Sequence, residues 1–259
     1  MDYNLHTHTF RCHHAEGDCE EYVLSAIENK YKTLGFSEHI PLKFADGTES
    51  LYRMYVQDVS GYISEVLRLK EKYKGVIDIK LGFEIEYYPE YFNLMLSNAI
   101  KWGAEYLILG QHFLGPEHPR ETSVYTYAPR NDVAILEKFV LTIIEGMKTG
   151  NITYVAHPDL INFTGDKNTF QKAIRPICVS ARELGVPLEI NFLGIREKRA
   201  YPNEWFWEIA GEERSPVTFG CDAHRPVDVF NEHALKEAKD IVNRYGLNYI
   251  GKPKLKLIK

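Results

Sequence analysis

The chain reads as a parallel α/β protein folded into a closed or nearly closed barrel, and three observations predict it. Short apolar runs and helical stripes alternate seven times. No break in composition and no repeat of fixed period divides the 259 residues, a length close to the roughly 250 of one α/β barrel. The run Glu105-Tyr106-Leu107-Ile108-Leu109-Gly110 is almost continuously apolar, as strands buried on both faces are. Seven units in this length favour the barrel over an open doubly wound sheet, and no Gly-x-Gly-x-x-Gly follows the first strand to support a dinucleotide fold. A single domain over residues 1–259 is expected.

Taken in order, Asp2 to Leu5 is the first strand. Glu20 to Tyr31 is a helix, with Tyr22, Val23, Ala26 and Ile27 on one stripe and acidic residues in the first turn. Thr33 to Ser37 is a strand that delivers Glu38-His39, followed by Pro41 and a polar loop to about Leu51. Val56, Val59, Ile63, Val66 and Leu67 set a helix from Tyr55 to Tyr73, and Val76 to Glu86 is the third strand. Pro89 suits the start of a helix over Tyr91 to Trp102, and the fourth strand then hands over to Gln111-His112. Phe113 to Asn131 holds three prolines and no periodicity, so it is a long loop of the kind that usually carries function. Helix Asp132 to Lys148, strand Ile152 to Ala156, helix Asn168 to Leu184 with a kink at Pro176, and strand Val186 to Asn191 follow. The remainder is a loop from Phe192 to Pro202, a short helix over Trp205 to Ile209, strand Pro216 to Gly220, a helix over Val229 to Tyr245, and a solvated tail at Lys252 to Lys256.

The chemistry gathers where these strands end. His6 and His8 follow the first strand, spaced so that both leave one face and can grip one metal ion. His39 follows the second, Glu84 lies late in the third, His112 follows the fourth, His157 the fifth, and Asp222 and His224 the seventh. In a parallel barrel those ends share one rim, so residues more than two hundred positions apart converge there. With His14, or its neighbour His13, which spacing alone does not separate, seven histidines and two carboxylates exceed the needs of one ion. A cluster of two or three ions with a bridging carboxylate is therefore expected.

Composition narrows the partners. A chain 44% hydrophobic and 26% charged can build a sizeable core. A net charge of −5 without a dense Lys/Arg run argues against a general nucleic-acid surface, while leaving room for a local basic pocket for one phosphate. Cysteines at 12, 19, 178 and 221 form no Cys-x-x-Cys pair and suit a reducing compartment. No basic segment precedes an apolar run at the start and no 18 apolar residues run together, so neither signal peptide nor membrane span is expected and the protein reads as cytoplasmic. A monomer and a homodimer both remain open.

The order His6-x-His8, His14, Ser37-Glu38-His39, Gly82-Phe83-Glu84, Gln111-His112, His157-Pro158 and Asp222-Ala223-His224 resembles the polymerase-and-histidinol-phosphatase (PHP) family over essentially the whole chain. Within it, Cys12-His13-His14-Ala15-x-Gly17 and Gly35-Phe36-Ser37-Glu38-His39 are most similar to histidinol-phosphate phosphatases. The resemblance implies a distorted seven-stranded (β/α)7 TIM-like barrel and a trinuclear centre of zinc, iron or manganese. By position it implies one ion at His6, His8, Glu84 and Asp222, a second at Glu84, His112 and His157, and a third at His14, His39 and His224. Two departures stand out: Asn4 occupies a place where many members are acidic, and Gly110-Gln111-His112 stands where histidinol phosphatases often carry Ser-Val-His.

The expected reaction is phosphomonoester hydrolysis of L-histidinol phosphate, as in histidine biosynthesis. A water bridging two ions, acidified toward about 7, would attack phosphorus in line. Glu84, Asp222 and His224 are the catalytic candidates, with Asp222 or His224 protonating the leaving alkoxide. Arg196 and, second, Arg199 are the candidates for binding the phosphate. The alternative is a related phosphoesterase acting on another small phosphate ester, diester or nucleotide. A deaminase-type barrel is disfavoured because Leu107 to Phe113 contains no metal-bridging lysine. A degenerate metal-binding module without catalysis is disfavoured because no ligand is missing.

Overall fold

Eight parallel strands, hydrogen-bonded in sequence order, make one curled sheet in the computed structural model, which describes residues 1–259 apart from the side chain of Thr122. They are β1 (Tyr3–Asn4), β2 (Thr33–His39), β3 (Asp78–Ile85), β4 (Tyr106–Leu109), β5 (Tyr154–Val155), β6 (Leu188–Asn191), β7 (Pro216–Gly220) and β8 (Asn248–Tyr249). The chain past β1 pairs with the chain past β7, Thr7 opposite Ala223, with His8 N–H donating to Ala223 O at 2.9 Å. That contact closes the first seven strands at their C-terminal ends. The two-residue β8, which was not expected, pairs only with the start of β7, so the barrel is distorted at its base.

Alternation along the strands sorts side chains between two cores. Ile79, Leu81, Phe83 and Ile85 of β3 join the large outer core against the helices, while Gly82 and Glu84 face inward. In β4, Leu107 and Leu109 face out, and Tyr106 and Ile108 join Leu5, Tyr154 and Ala156 inside the barrel. The inner core is small because polar groups occupy the space above it. Tyr106 fits there because Gly35 and Gly82 present no side chain to its ring, and its hydroxyl donates toward Leu5 O (2.9 Å) and Phe36 O (3.0 Å).

The outer helices are α1 (Cys19–Glu28), α2 (Val59–Lys72), α3 (Phe92–Lys101), α4 (Val133–Lys148), α5 (Lys167–Leu184), α6 (Phe192–Arg196), α7 (Glu204–Glu212) and α8 (Glu232–Tyr245). Asp18, Asp132, Asp166, Asn203 and Asn231 cap five of them by accepting first-turn N–H groups. α5 continues through Pro176 as one helix.

Two expectations need correction. The segment after β6 is not all loop: Asn191 ends the strand and also caps α6, accepting from Gly194 N–H at 3.1 Å, and five residues are too few to show a periodicity. The tail is not merely solvated. Pro253 is buried, Leu255 packs on the inner core, and Lys256 N–H donates to Thr153 Oγ1 (3.2 Å) and Lys259 N–H to Asn151 Oδ1 (2.7 Å), so the C-terminus covers the barrel's base. Tyr106→Phe should lower the unfolding free energy by about 1–2 kcal/mol, read from the urea midpoint, because two buried carbonyls lose a donor; an unchanged midpoint would show that this hydroxyl does not brace the barrel.

Candidate metal centre

The β2–β3 register sets His39 beside Glu84, both at the C-terminal end of the sheet, and Glu84 becomes the hub of everything above the inner core. One of its oxygens, Oε2, lies 3.1 Å from His39 Nδ1, 3.3 Å from His8 Nε2 and 3.6 Å from His6 Nε2. The other, Oε1, lies 3.1 Å from His157 Nε2 and 3.8 Å from His112 Nε2. Asp222 Oδ1 closes the far side at 3.4 Å from His6 Nε2, 3.6 Å from His8 Nε2 and 3.3 Å from His224 Nδ1. The carboxylate thus faces two groups of imidazoles, one with each oxygen.

His14 joins the third corner, its ring 5.3 Å from His39 and 5.1 Å from His224, whereas the His13 ring packs 4.4 Å from Tyr55. Tertiary structure therefore separates two neighbours that spacing could not. Seven histidines and two carboxylates from six strand ends form one cluster at the barrel mouth, bordering a cavity of about 490 Å³.

A second layer orients the first. Glu189 Oε1 hydrogen-bonds His6 Nδ1 at 2.9 Å, which leaves Nε2 turned to the centre, and Glu189 Oε2 accepts from His157 N–H at 3.0 Å and Asn191 Nδ2 at 2.9 Å. Asn191 also donates to Asp222 Oδ2 at 3.0 Å. Glu38 accepts from Thr9 N–H at 2.6 Å and stands 3.8 Å from His8 Nδ1. Glycines make room for this crowding: a Cβ at Gly110 would meet Glu84 Oε1 at 1.7 Å, and one at Gly220 would meet Glu189 Oε1 at 1.7 Å. The departure at Gly110 thus has a local reason in this chain. His157 and Asp222 have left-handed backbones, φ +30° and +46°, an unusual conformation for non-glycine residues that their contacts hold in place.

These residues fit cations. His6 Nε2, His8 Nε2 and Glu84 Oε2 are buried atoms with no hydrogen-bond partner, although burying an unpaired polar group is costly. They converge on one another at distances a shared ion would span, and the sets His6–His8–Asp222, His6–Glu84–His157 and His8–His39–His224 each present converging ligand atoms. Burial alone would push the Glu84 and Asp222 carboxyls up, but the surrounding imidazoles hold both below the usual carboxylate range.

The phosphate candidates divide. The Arg196 side chain is mostly buried, its guanidinium donating to Cys221 O (2.7 Å) and Asp222 O (3.0 Å), and it is not among the residues that line the cavity. Arg199 does line the cavity, with Nε donating to Glu197 (2.7 Å) and NH1 to the Tyr201 hydroxyl (3.2 Å). The sequence reading missed Glu189, Glu38, Arg53 and Glu117. Glu189 had a signal, a charged residue at an inward position of the otherwise apolar Leu188-Glu189-Ile190; Arg53 and Glu117 lie in loops without one.

Fold and site together define a parallel-barrel protein whose mouth is built to hold several cations. A family model described as the PHP domain matches residues 4–192, and the chain belongs to that family. It is 28% identical over 251 residues to a Deinococcus radiodurans protein named "Probable histidinol-phosphatase", covering 92% of this chain and 93% of the relative. It is 26% identical over 252 residues to the histidinol-phosphatase of Bacillus subtilis, covering 86% and 94%. The fold is shared with the crystal structure of histidinol phosphate phosphatase from Lactococcus lactis, complexed with zinc, L-histidinol and phosphate (TM-score 0.72, 16% identity, 96% of this chain and 95% of that one).

Stripped of metal, the centre should impose its own pH dependence. Burial, then the charge of His8, pushes His224 down from 6.5 to about 3, so on unfolding it gains a proton below 6.5 and stability falls as the solution is acidified. His8 goes the other way: burial would lower it, but Glu38 and Glu84 raise it to about 9, so its contribution is complete below 6.5 and is lost as pH rises through about 9. The metal-free protein should melt highest near pH 6.5, with the melting temperature falling on both sides; a steady rise from there to pH 9 would contradict the assignment.

Proposed function

We propose that the protein is a metal-dependent phosphomonoesterase that hydrolyses L-histidinol phosphate to L-histidinol and phosphate. The observation that carries the reading is the convergence of buried, unpartnered His6 Nε2, His8 Nε2 and Glu84 Oε2, for which a cation is the natural partner. Similarity along most of the chain to proteins named for histidinol phosphatase supports the substrate.

His6, His8, Glu84 and Asp222 would hold one ion, Glu84, His112 and His157 a second, and His14, His39 and His224 a third. An imidazole-rich set with a bridging carboxylate suits zinc, iron or manganese. Bound there, the ions would supply an acidified water as nucleophile and positive charge for the phosphoryl oxygens.

The chain's own groups do the rest. Glu84 sets the spacing of the two halves by offering one oxygen to each. Glu189 and Asn191 keep His6 and Asp222 aimed inward. Arg199, at the cavity wall, presents a planar cation suited to phosphate. Asp222 and His224, which face each other at 3.3 Å and both line the cavity, hold no proton of their own near neutral pH and are assigned the relay of a water proton to the leaving alkoxide.

One sheet spanning residues 3–249 supports reading the chain as a single domain. Four unpaired cysteines fit a cytoplasmic enzyme, and among the described residues no helix is long and apolar enough to cross a membrane. The net charge of −5 fits a small-molecule substrate better than nucleic acid.

Glu84→Gln should reduce phosphate release to background and lower the bound metal per chain; full activity in that variant would contradict the bridging role. Metal analysis paired with phosphate release from histidinol phosphate, sugar phosphates, nucleotides and diesters tests the substrate. A diester or nucleotide favoured by more than about tenfold in kcat/KM, about 1.4 kcal/mol, would move the substrate assignment and leave the centre standing.

A further inference from the structure

The cavity has a second charged pole that the hydrolytic centre does not use. Glu117, in the long loop after β4, lines the cavity and is only 8% exposed. Its Oε1 accepts from Arg53 Nε at 2.7 Å, while its Oε2 is buried without a hydrogen-bond partner among the described residues. Arg53 is itself fully committed: NH1 donates to Ile40 O at 3.1 Å and NH2 pairs with Glu86.

Charge is shared unevenly in this group. One guanidinium stands between two buried carboxylates, and the His112 imidazole, Nδ1 3.3 Å from Glu86, lies on the Glu86 side, so Glu117 has the smaller share of positive charge. Glu86 is satisfied by further donors, accepting from His112 N–H at 2.9 Å and from the Tyr88 hydroxyl at 2.5 Å, whereas among the described residues Glu117 has only Arg53. The less compensated carboxylate is therefore Glu117, which lines the cavity a substrate would enter, with Oε2 just beneath its surface. The other carboxylates at the wall face cations or the candidate ion sites: Glu197 accepts from Arg199, and Glu84 and Asp222 are surrounded by imidazoles. A buried carboxylate oxygen without a donor is a receptor for a cationic one.

We propose that Glu117 binds the ammonium group of an amino-bearing phosphate ester and is the residue that selects such substrates. The assignment rests on the reading of the preceding subsection. It gives the cavity two poles, a cationic one for phosphate and an anionic one for the amine.

The test compares histidinol phosphate with the otherwise identical ester lacking the amino group, using the metal-loaded enzyme. Wild type should prefer the amino ester by roughly tenfold or more in kcat/KM, expressed mainly in KM, and Glu117→Gln should reduce that preference to about twofold. Glu117→Asp, which keeps the charge, should retain more of it than the glutamine variant does. Equal efficiency of the wild type on the two esters, or a preference that Glu117→Gln preserves, overturns the proposal while leaving the phosphatase reading intact. If the wild type releases phosphate from neither ester, the substrate reading fails and the Glu117 assignment falls with it.

Discussion

A single buried carboxylate facing five imidazoles is the constraint from which the rest of the structure follows. Glu84 sits 1% exposed at the end of β3 with Oε2 toward His6, His8 and His39 and Oε1 toward His112 and His157. Unfilled, such an arrangement leaves donor atoms without partners in a medium that penalises them. It is sustained because the contributing side chains come from five successive strand ends, β1 to β5, held by backbone hydrogen bonds that do not depend on the site. The outer hydrophobic core thus bears the cost of gathering polar groups at the mouth.

Fitting so many groups into one barrel requires space, and the sequence supplies it on neighbouring strands. Gly110 lets Glu84 lie across the end of β4, Gly220 lets Glu189 lie across β7, and Gly35 and Gly82 admit the Tyr106 ring beneath. The inner core is correspondingly small and is covered from below by the C-terminal tail. Above it, Glu189 connects three centre residues through His6 Nδ1, His157 N–H and, by way of Asn191, Asp222. A change in any one of them is felt by the others.

The mouth of the barrel is shaped by loops with a different logic. Phe113, Glu117 and Tyr125 of the segment after β4, Tyr52 and Arg53 of the segment after β2, and Tyr201 after α6 line the cavity beside the histidines. Phe113 packs against Tyr52 at 5.4 Å and Tyr125 at 5.2 Å, giving one wall an aromatic surface. Arg53 and Glu86 link Glu117 to His112, whose Nδ1 stands 3.3 Å from Glu86. The candidate ligand His112 and the proposed amine receptor are therefore parts of one hydrogen-bonded wall.

Much of this is legible in the sequence. Alternating apolar runs and stripes determined the parallel barrel, and the placement of His6, His8, His39, Glu84, His112, His157, Asp222 and His224 at strand ends determined that they would meet, because parallel strands in a closed sheet must end on one rim. Only the tertiary structure set His14 rather than His13 beside His39 and His224, turned Arg196 onto the Cys221 and Asp222 carbonyls, folded the tail onto the base and left one oxygen of Glu117 without a donor among the described residues. Those outcomes depend on which way a side chain leaves a turn or a loop and on what stands opposite it. Neither is encoded in a local period, which reports the face of a strand or helix but not the partner across a cavity.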